Sequence, residues 1–227
     1  ASPRAYSFWA ADAIQAFTNV HPDTALVANL FPKLVVNYQE WEKSHLDSTG
    51  LFWQTDNRDG MEVSVSGAMG KKEQGYRATI NSYMYGDAMA LTHMARMLGE
   101  QKDVVAFSKK AAYVKKQILN RLWDDEAKFF KVIPRGNATM AQAKVRELHG
   151  FTTWYFSIPE DKHAIAWKQL IDTNGFNAPY GLTTTEQRHP NFTIAYEGHE
   201  CQWNGPSWPF ATSITLTAFA NLLHTSN

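Results

Sequence analysis

Across most of this chain apolar residues return at every third or fourth position, and nowhere do they alternate with polar residues over a useful strand length. That period belongs to amphipathic helices, and it constrains the fold more than any other feature. It is clearest in residues 25–45, where Leu26, Leu30, Leu34, Tyr38 and Trp41 make one stripe. Pro32 inside that stripe is read as the first turn of the main segment, because a proline ring obstructs a helix interior. A first helix over residues 8–20 precedes it, joined through His21-Pro22-Asp23. Met84, Ala88, Leu91, Ala95 and Leu98 share a face of residues 81–98, and Gly99 is the stop. Asp103 is read as the cap of the next helix, which runs to about Trp123 with Phe107, Ala111, Val114, Ile118 and Leu122 inward. Residues 150–158 fit a short helix or a strand equally well. Asp161 caps a helix to about Ile171, and Gly205-Pro206-Ser207-Trp208-Pro209 opens a last one through Leu223. The only sheet expected is a short hairpin near residues 129–132.

Helix, short turn, helix, long loop is the order of helical hairpins set around an axis, with the long loops gathered at one end. Seven or eight helices are expected in one domain over residues 1–227, or in a fragment of one. With 22 basic and 22 acidic residues the net charge is zero, which argues against a nucleic-acid or membrane-surface partner. No apolar run is long enough for a membrane-spanning helix. The single cysteine, Cys201, is read as a small buried hydrophobe. Asn137-Ala138-Thr139 and Asn191-Phe192-Thr193 are glycosylation sequons and point to a secreted or extracytoplasmic protein.

The composition stands out in its aromatics, with 8 Trp, 9 Tyr and 13 Phe. Residues 50–67 set such rings beside charge: Trp53, Gln54, Asp56, Arg58, Asp59 and Glu62 are packed among glycines. A sugar calls for this mixture, since ring faces stack on its C–H surface while planar acids and amides take its hydroxyls. One carboxyl must also give a proton to the glycosidic oxygen. A second long segment, residues 174–204, carries Tyr180, Glu197, His199, Glu200 and Trp203. Connections of that length in a compact domain are usually functional. His149 and His199 are read as hydrogen-bonding loop residues, because neither has a second ligand at helical spacing; no metal and no cofactor are expected.

Gly60-Met61-Glu62-Val63-Ser64 resembles the Gly-hydrophobe-acid-hydrophobe-Ser segment of the trehalase, family 63 processing α-glucosidase and mannosylglycerate hydrolase group of glycosidases. Further likeness lies in Asn37-Tyr38 with Trp41, Gly50-Leu51-Phe52-Trp53, Asn81-Ser82-Tyr83, Leu122-Trp123-Asp124 and Trp203-Asn204-Gly205-Pro206-Ser207-Trp208. The resemblance implies an all-α fold, an (α/α)6-toroid of helical hairpins, of which this chain supplies an incomplete barrel. It implies hydrolysis of an O-glycosidic bond with inversion, by a carboxyl acid and a carboxylate base. It makes the acid Glu62, where those families usually carry Asp; Asp59 is the alternative donor. Their base is a Glu beyond the Trp-Asn-Gly-Pro-Ser-Trp helix, and no Glu follows Glu200 here. The base is therefore expected outside these residues, with Glu200 or Glu197 as substitutes. Trp53, Gln54, Asp56, Arg58, Tyr83, Tyr85, His149, Trp154, Tyr180, Glu197, Trp203 and Trp208 are the expected sugar contacts. The expected partners are a carbohydrate substrate and the rest of the barrel, supplied by the same polypeptide or by a second chain. Two other readings stay open: a carbohydrate-binding helical domain without a base, and a helical scaffold that binds protein.

Overall fold

A computed structural model describes residues 5–225. Helix α1, Ala10–Val20, turns at His21 into α2, Thr24–His45, whose start is capped by the Asp23 carboxylate taking the Leu26 amide at 2.8 Å. The buried stripe of α2 is Val27, Phe31, Tyr38, Trp41 and His45. It keeps the expected period but is rotated one position from Leu26, Leu30 and Leu34, which are half-buried. Pro32 does not mark the helix start. It sits inside α2 on the exposed side, where the carbonyl left unpaired can turn to water.

Helices α3, Ala78–Leu98, and α4, Gln101–Gln117, form the tightest hairpin. Gly99 joins them in the left-handed conformation, φ 76°, and returns its amide to the Ala95 and Arg96 carbonyls. Asp103 lies in the first turn of α4 and is not its cap. The helix ends in a π-helical turn, Ile118–Leu122. Helix α3 is the central post: α1, α2 and α4 all pack on it, which is why it is buried on nearly every side. A 3₁₀ turn, Leu148–Phe151, leads into the single-turn α5, Thr152–Tyr155, so that segment is helical. A 3₁₀ helix, Asp161–Leu170, follows, and α6, Pro209–Thr225, packs on α5.

Short strands punctuate the helices: β1, Trp53–Thr55; β2, Gln74–Tyr76; β3, Trp123–Asp124; β4, Phe129–Phe130; β5, Ile133–Pro134; β6, Asn177–Ala178; β7, Gly181–Leu182. β3 with β4 and β6 with β7 are hairpins, while β1, β2 and β5 make a three-stranded antiparallel sheet. The expectation of one hairpin near residues 129–132 was too narrow. The missed sheet pairs Trp53 with Tyr76 and Tyr76 with Ile133, in strands too short to show an alternating pattern. One apolar cluster runs from Ala11 to Ala218, and its aromatic centre is Phe129, Phe130, Phe151, Trp154, Trp167 and Phe176.

Candidate active site

The acid-bearing loop lies between β1 and β2, and α3 holds its root. Asn81, fully buried, takes the Phe52 amide on its carbonyl oxygen and donates its NH₂ to the Phe52 and Arg77 carbonyls, at 2.8–2.9 Å. Past β1 the chain makes a 3₁₀ turn, Asn57–Asp59, closed by Gly60 at φ 75°. Asp56 organises this turn from inside. Its carboxylate accepts from the Asn57 amide at 2.7 Å and from the amide and hydroxyl of Ser64 at 3.3 Å. A side chain on Gly67 would run into that carboxylate, so the loop closes only with glycine there. Val63, next to Glu62, sits at φ 57°. For a β-branched residue this is strained backbone, costing about 1–3 kcal/mol, and the surrounding hydrogen bonds must hold it.

Glu62 stands at the crest of the loop. It is half-buried, and among the described residues no hydrogen bond or ion pair fixes its carboxyl. Its carbonyl takes the Trp203 amide at 3.0 Å, which ties the crest to the 197–208 segment. On one side of it Val63, Ser64, Val65 and Ala68 face Pro190, Asn191, Phe192, Thr193, Glu197 and Asn204 across an open groove of about 420 Å³. That is the size of a small-ligand site, and its lining mixes an aromatic ring with amides, hydroxyls and a carboxylate. Asn204 donates its amide to Glu197 at 3.2 Å, which aims that carboxylate.

On the other side of the crest lies a buried ionic cluster. Asp59 is 5% exposed; one oxygen takes the Thr79 hydroxyl and the other, Oδ1, has no partner. Burial pushes its carboxyl up from the ordinary value, against the pull of Arg77, Ser7, Thr79 and His149. Glu147 accepts from His149 Nε2 and from the Ser66 amide, both at 3.0 Å. Burial alone would raise the Glu147 carboxyl, but His149, Arg77 and Ser66 together hold it down at about 2. Arg77 is fully buried and supplies the neighbouring positive charge. Asp59, Thr79, Tyr83, His149 and Trp203 all line a narrow cavity of about 10 Å³, room for about one water.

Of the expected site residues, Glu197 alone lines the groove; Glu62 does not, but it immediately precedes Val63, which does. Trp208 is half-buried, stacked on Trp203 with ring centroids 5.7 Å apart and donating its indole N–H to the Gln202 carbonyl. Asp59, Tyr83, His149 and Trp203 are gathered in the closed cavity instead. Trp53 is not a free stacking platform. His45 covers one part of its ring system at 4.7 Å and the Arg135 guanidinium another at 4.3 Å. Gln54 is fully buried and spends its amide on Ala5 and Ser7, and Asp56 is the turn organiser described above. Arg58 is exposed. Tyr83 and Tyr85 are on α3 and do not reach a groove: Tyr83 is buried under Trp9, and Tyr85 is half-buried against the core. Trp154 belongs to the aromatic core. Tyr180 is wholly exposed at the turn of the β6–β7 hairpin, and Glu200 is exposed and lines neither cavity. The expected site residues thus do not share one cleft but divide among the groove, the narrow cavity, the core and the exposed surface.

Sequence reasoning passed over Arg77, Thr79 and Glu147, which belong to the buried ionic cluster. A visible signal was Glu147-Leu148-His149: two ionisable residues flank an apolar one in a stretch that otherwise reads as core.

The class these observations define is a mostly helical domain of hairpins with a carboxylate-rich loop beside a polar groove. The chain belongs to the mannosylglycerate hydrolase MGH1-like glycoside hydrolase domain family, whose profile matches residues 1–227. It is similar to a solved structure named sialidase, with 40% identity and TM-score 0.90 over 96% of this chain and 20% of that one. It is also similar to the family 63 mannosylglycerate hydrolase of Thermus thermophilus solved with glucose. There the TM-score is 0.82 at 17% identity, over 100% of this chain and 65% of that one. The neutral trehalase of Saccharomyces cerevisiae shares the fold more distantly, with TM-score 0.52 at 13% identity over 65% of this chain and 28% of that one. No curated protein sequence matches the chain. The fold is mostly helical and is part of the six-hairpin glycosidase fold; the chain spans 20% to 65% of the length of these structures.

Proposed function

We propose that this domain hydrolyses an O-glycosidic bond, with Glu62 as the proton donor and the groove of Ser64, Phe192, Glu197 and Asn204 as the sugar subsite. The observation that carries this reading is the position of Glu62: a half-buried carboxyl with no hydrogen bond or ion pair among the described residues, one position before the strained Val63, which lines a groove of ligand size. Asp59 is the poorer donor, because it is enclosed in a cavity too small for a sugar and is already hydrogen-bonded to Thr79. Inversion requires a carboxylate base about 6.5–9.5 Å from the acid, with a water between them. In this proposal Glu197 binds hydroxyls, and the base comes from the part of the barrel that these residues do not span. The Asn137 sequon agrees with an extracytoplasmic location; a glycan on Asn191 would fill the groove, so that second sequon lends no support.

The test is Glu62→Gln in a longer polypeptide containing this domain, assayed on a panel of disaccharides and on activated aryl glycosides. The rate on the poor leaving group should fall by about 10²–10⁴-fold, while the aryl glycoside, which needs little protonation, falls much less. Equal losses on both would remove Glu62 from the donor role. Asp59→Asn measured alongside decides between the two acids.

A further inference from the structure

Among the described residues seven buried side-chain atoms lack a hydrogen-bond partner, and five of them belong to Asp59, Ser66, Arg77 and His149. These residues are one cluster. Glu147 links His149 to Ser66 by hydrogen bonds, and Arg77 lies close enough to act on the charges of both Asp59 and Glu147. Buried polar atoms nearly always find a partner, in protein or in ordered water, so a concentration of orphans in one place calls for a reason. Two of these atoms, Asp59 Oδ1 and His149 Nδ1, sit on residues that line the same narrow cavity. Its volume, about 10 Å³, is at the threshold for one water.

Which hydrogen each atom offers follows from the other contacts. With Nε2 given to the Glu147 carboxylate, Nδ1 is the ring atom left without a partner, an acceptor in the neutral ring and a donor in the imidazolium. Asp59 Oδ1 is a second unpartnered atom, an acceptor, on a residue that lines the same cavity. A single water can satisfy both in either state of the ring, donating to Asp59 and either donating to the neutral Nδ1 or accepting from its N–H.

The cluster also grips the acid-bearing loop at two points. Ser66 is held by Glu147, four positions after Glu62, and Asp59 stands three positions before it. Between these points the backbone passes through the strained Val63. A strained crest keeps its geometry only when both its ends are fixed.

We propose that Glu147 and His149 are positioning residues for Glu62: they clamp the loop directly through Ser66 and, through one bridging water, at Asp59. The inference rests on the reading of Glu62 as proton donor. It adds a cause for the donor's placement and makes no use of Glu147 or His149 as catalytic groups. A shift of about 1 Å in a catalytic group costs about 100-fold, so the clamp is worth up to that factor.

Two substitutions separate its halves. His149→Gln retains a donor where Nε2 meets Glu147 but loses Nδ1. His149→Asn retains a polar atom near Nδ1 and releases Glu147. Both go into the same longer polypeptide, with circular dichroism and thermal unfolding to show that each variant folds. The expected result is a kcat about 10- to 100-fold lower on the unactivated glycoside, with KM changed less than about threefold and a smaller loss on the aryl glycoside. In a Glu62→Gln background, each His149 substitution should cost no further factor, because there is no proton left to place. A full additional loss in that background overturns the proposal and leaves the Glu62 reading intact. If Glu62→Gln itself shows no leaving-group dependence, the donor reading fails first. The bridging water then decides on its own terms: a high-resolution crystal structure should show it between Asp59 Oδ1 and His149 Nδ1. A direct Asp59–His149 contact, or a cavity closed by repacking, would overturn the clamp.

Discussion

Asp87 carries a carboxylate into the packed side of α3, where it meets the first turn of α1 by accepting the Asp12 amide at 3.0 Å. Burial, with the nearby Asp12 charge, raises it to about 7 despite the helical amides it accepts from. Glu147 departs in the opposite sense, to about 2. The signs give each group its own pH window. An acid raised on folding binds its proton more tightly in the native state, so stability falls as pH climbs from about 4 to about 7. An acid depressed on folding contributes stability above its unfolded value near 4.3, and that contribution is lost as pH falls towards about 2. Each limb slopes at no more than about 1.4 kcal/mol per pH unit. Asp87→Asn keeps the acceptor and should flatten the neutral limb, raising the unfolding midpoint at pH 8. Glu147→Gln should flatten the acid limb alone. Denaturant titrations from pH 2 to 8 check both, and a neutral limb unchanged in Asp87→Asn would locate the titration elsewhere. Of the two, Asp87 was the less legible. In Tyr85-Gly86-Asp87-Ala88 it reads as one more polar position on a helix, and only the arrival of α1 makes it buried.

At the scale of elements, the helices were legible because their apolar period is local: Gly99 and the stripe of α4 each need only their neighbours in sequence. The β1–β2–β5 sheet was not, because its three strands meet across long sequence separations and no strand is longer than three residues. The same limit scattered the site. A tryptophan beside polar residues has one composition whether it stacks a sugar or, like Trp53, lies under Arg135 in a structural pile. What joins helix to loop is Asn81, which mimics a strand edge for Phe52 by both giving and taking a hydrogen bond. Asn81→Leu keeps the volume and removes that pairing, leaving Phe52 backbone groups short of partners in a buried place. The expected loss is about 1–3 kcal/mol in unfolding free energy at unchanged helix content. A loss below about 0.5 kcal/mol, by urea titration, would mean that water or other backbone groups replace the amide.

At the scale of the whole molecule, α6 is apolar on more than one side. Ala211, Ile214 and Ala218 are buried, while Phe210, Leu216, Phe219 and Leu223 remain 40–60% exposed. On α1, Phe17 and Val20 are exposed as well, at 49% and 72%. A helix that is hydrophobic all round belongs in an interior, and a contiguous apolar patch on a lone protein marks an interaction surface. The chain covers 65% of the length of the Thermus mannosylglycerate hydrolase whose fold it shares, so we propose that further hairpins of the barrel cover the α6 face. Two consequences are measurable. The 227-residue chain alone should self-associate, or bind a hydrophobic dye, at concentrations where a longer polypeptide does neither. Leu216→Lys with Leu223→Lys should restore a monomer in the short chain without changing its circular dichroism, yet destabilise the longer one by burying charge. Sedimentation analysis of the four samples tests this directly. A short chain that is monomeric and dye-silent with α6 intact would mean that the face is at ease in water and that nothing needs to cover it.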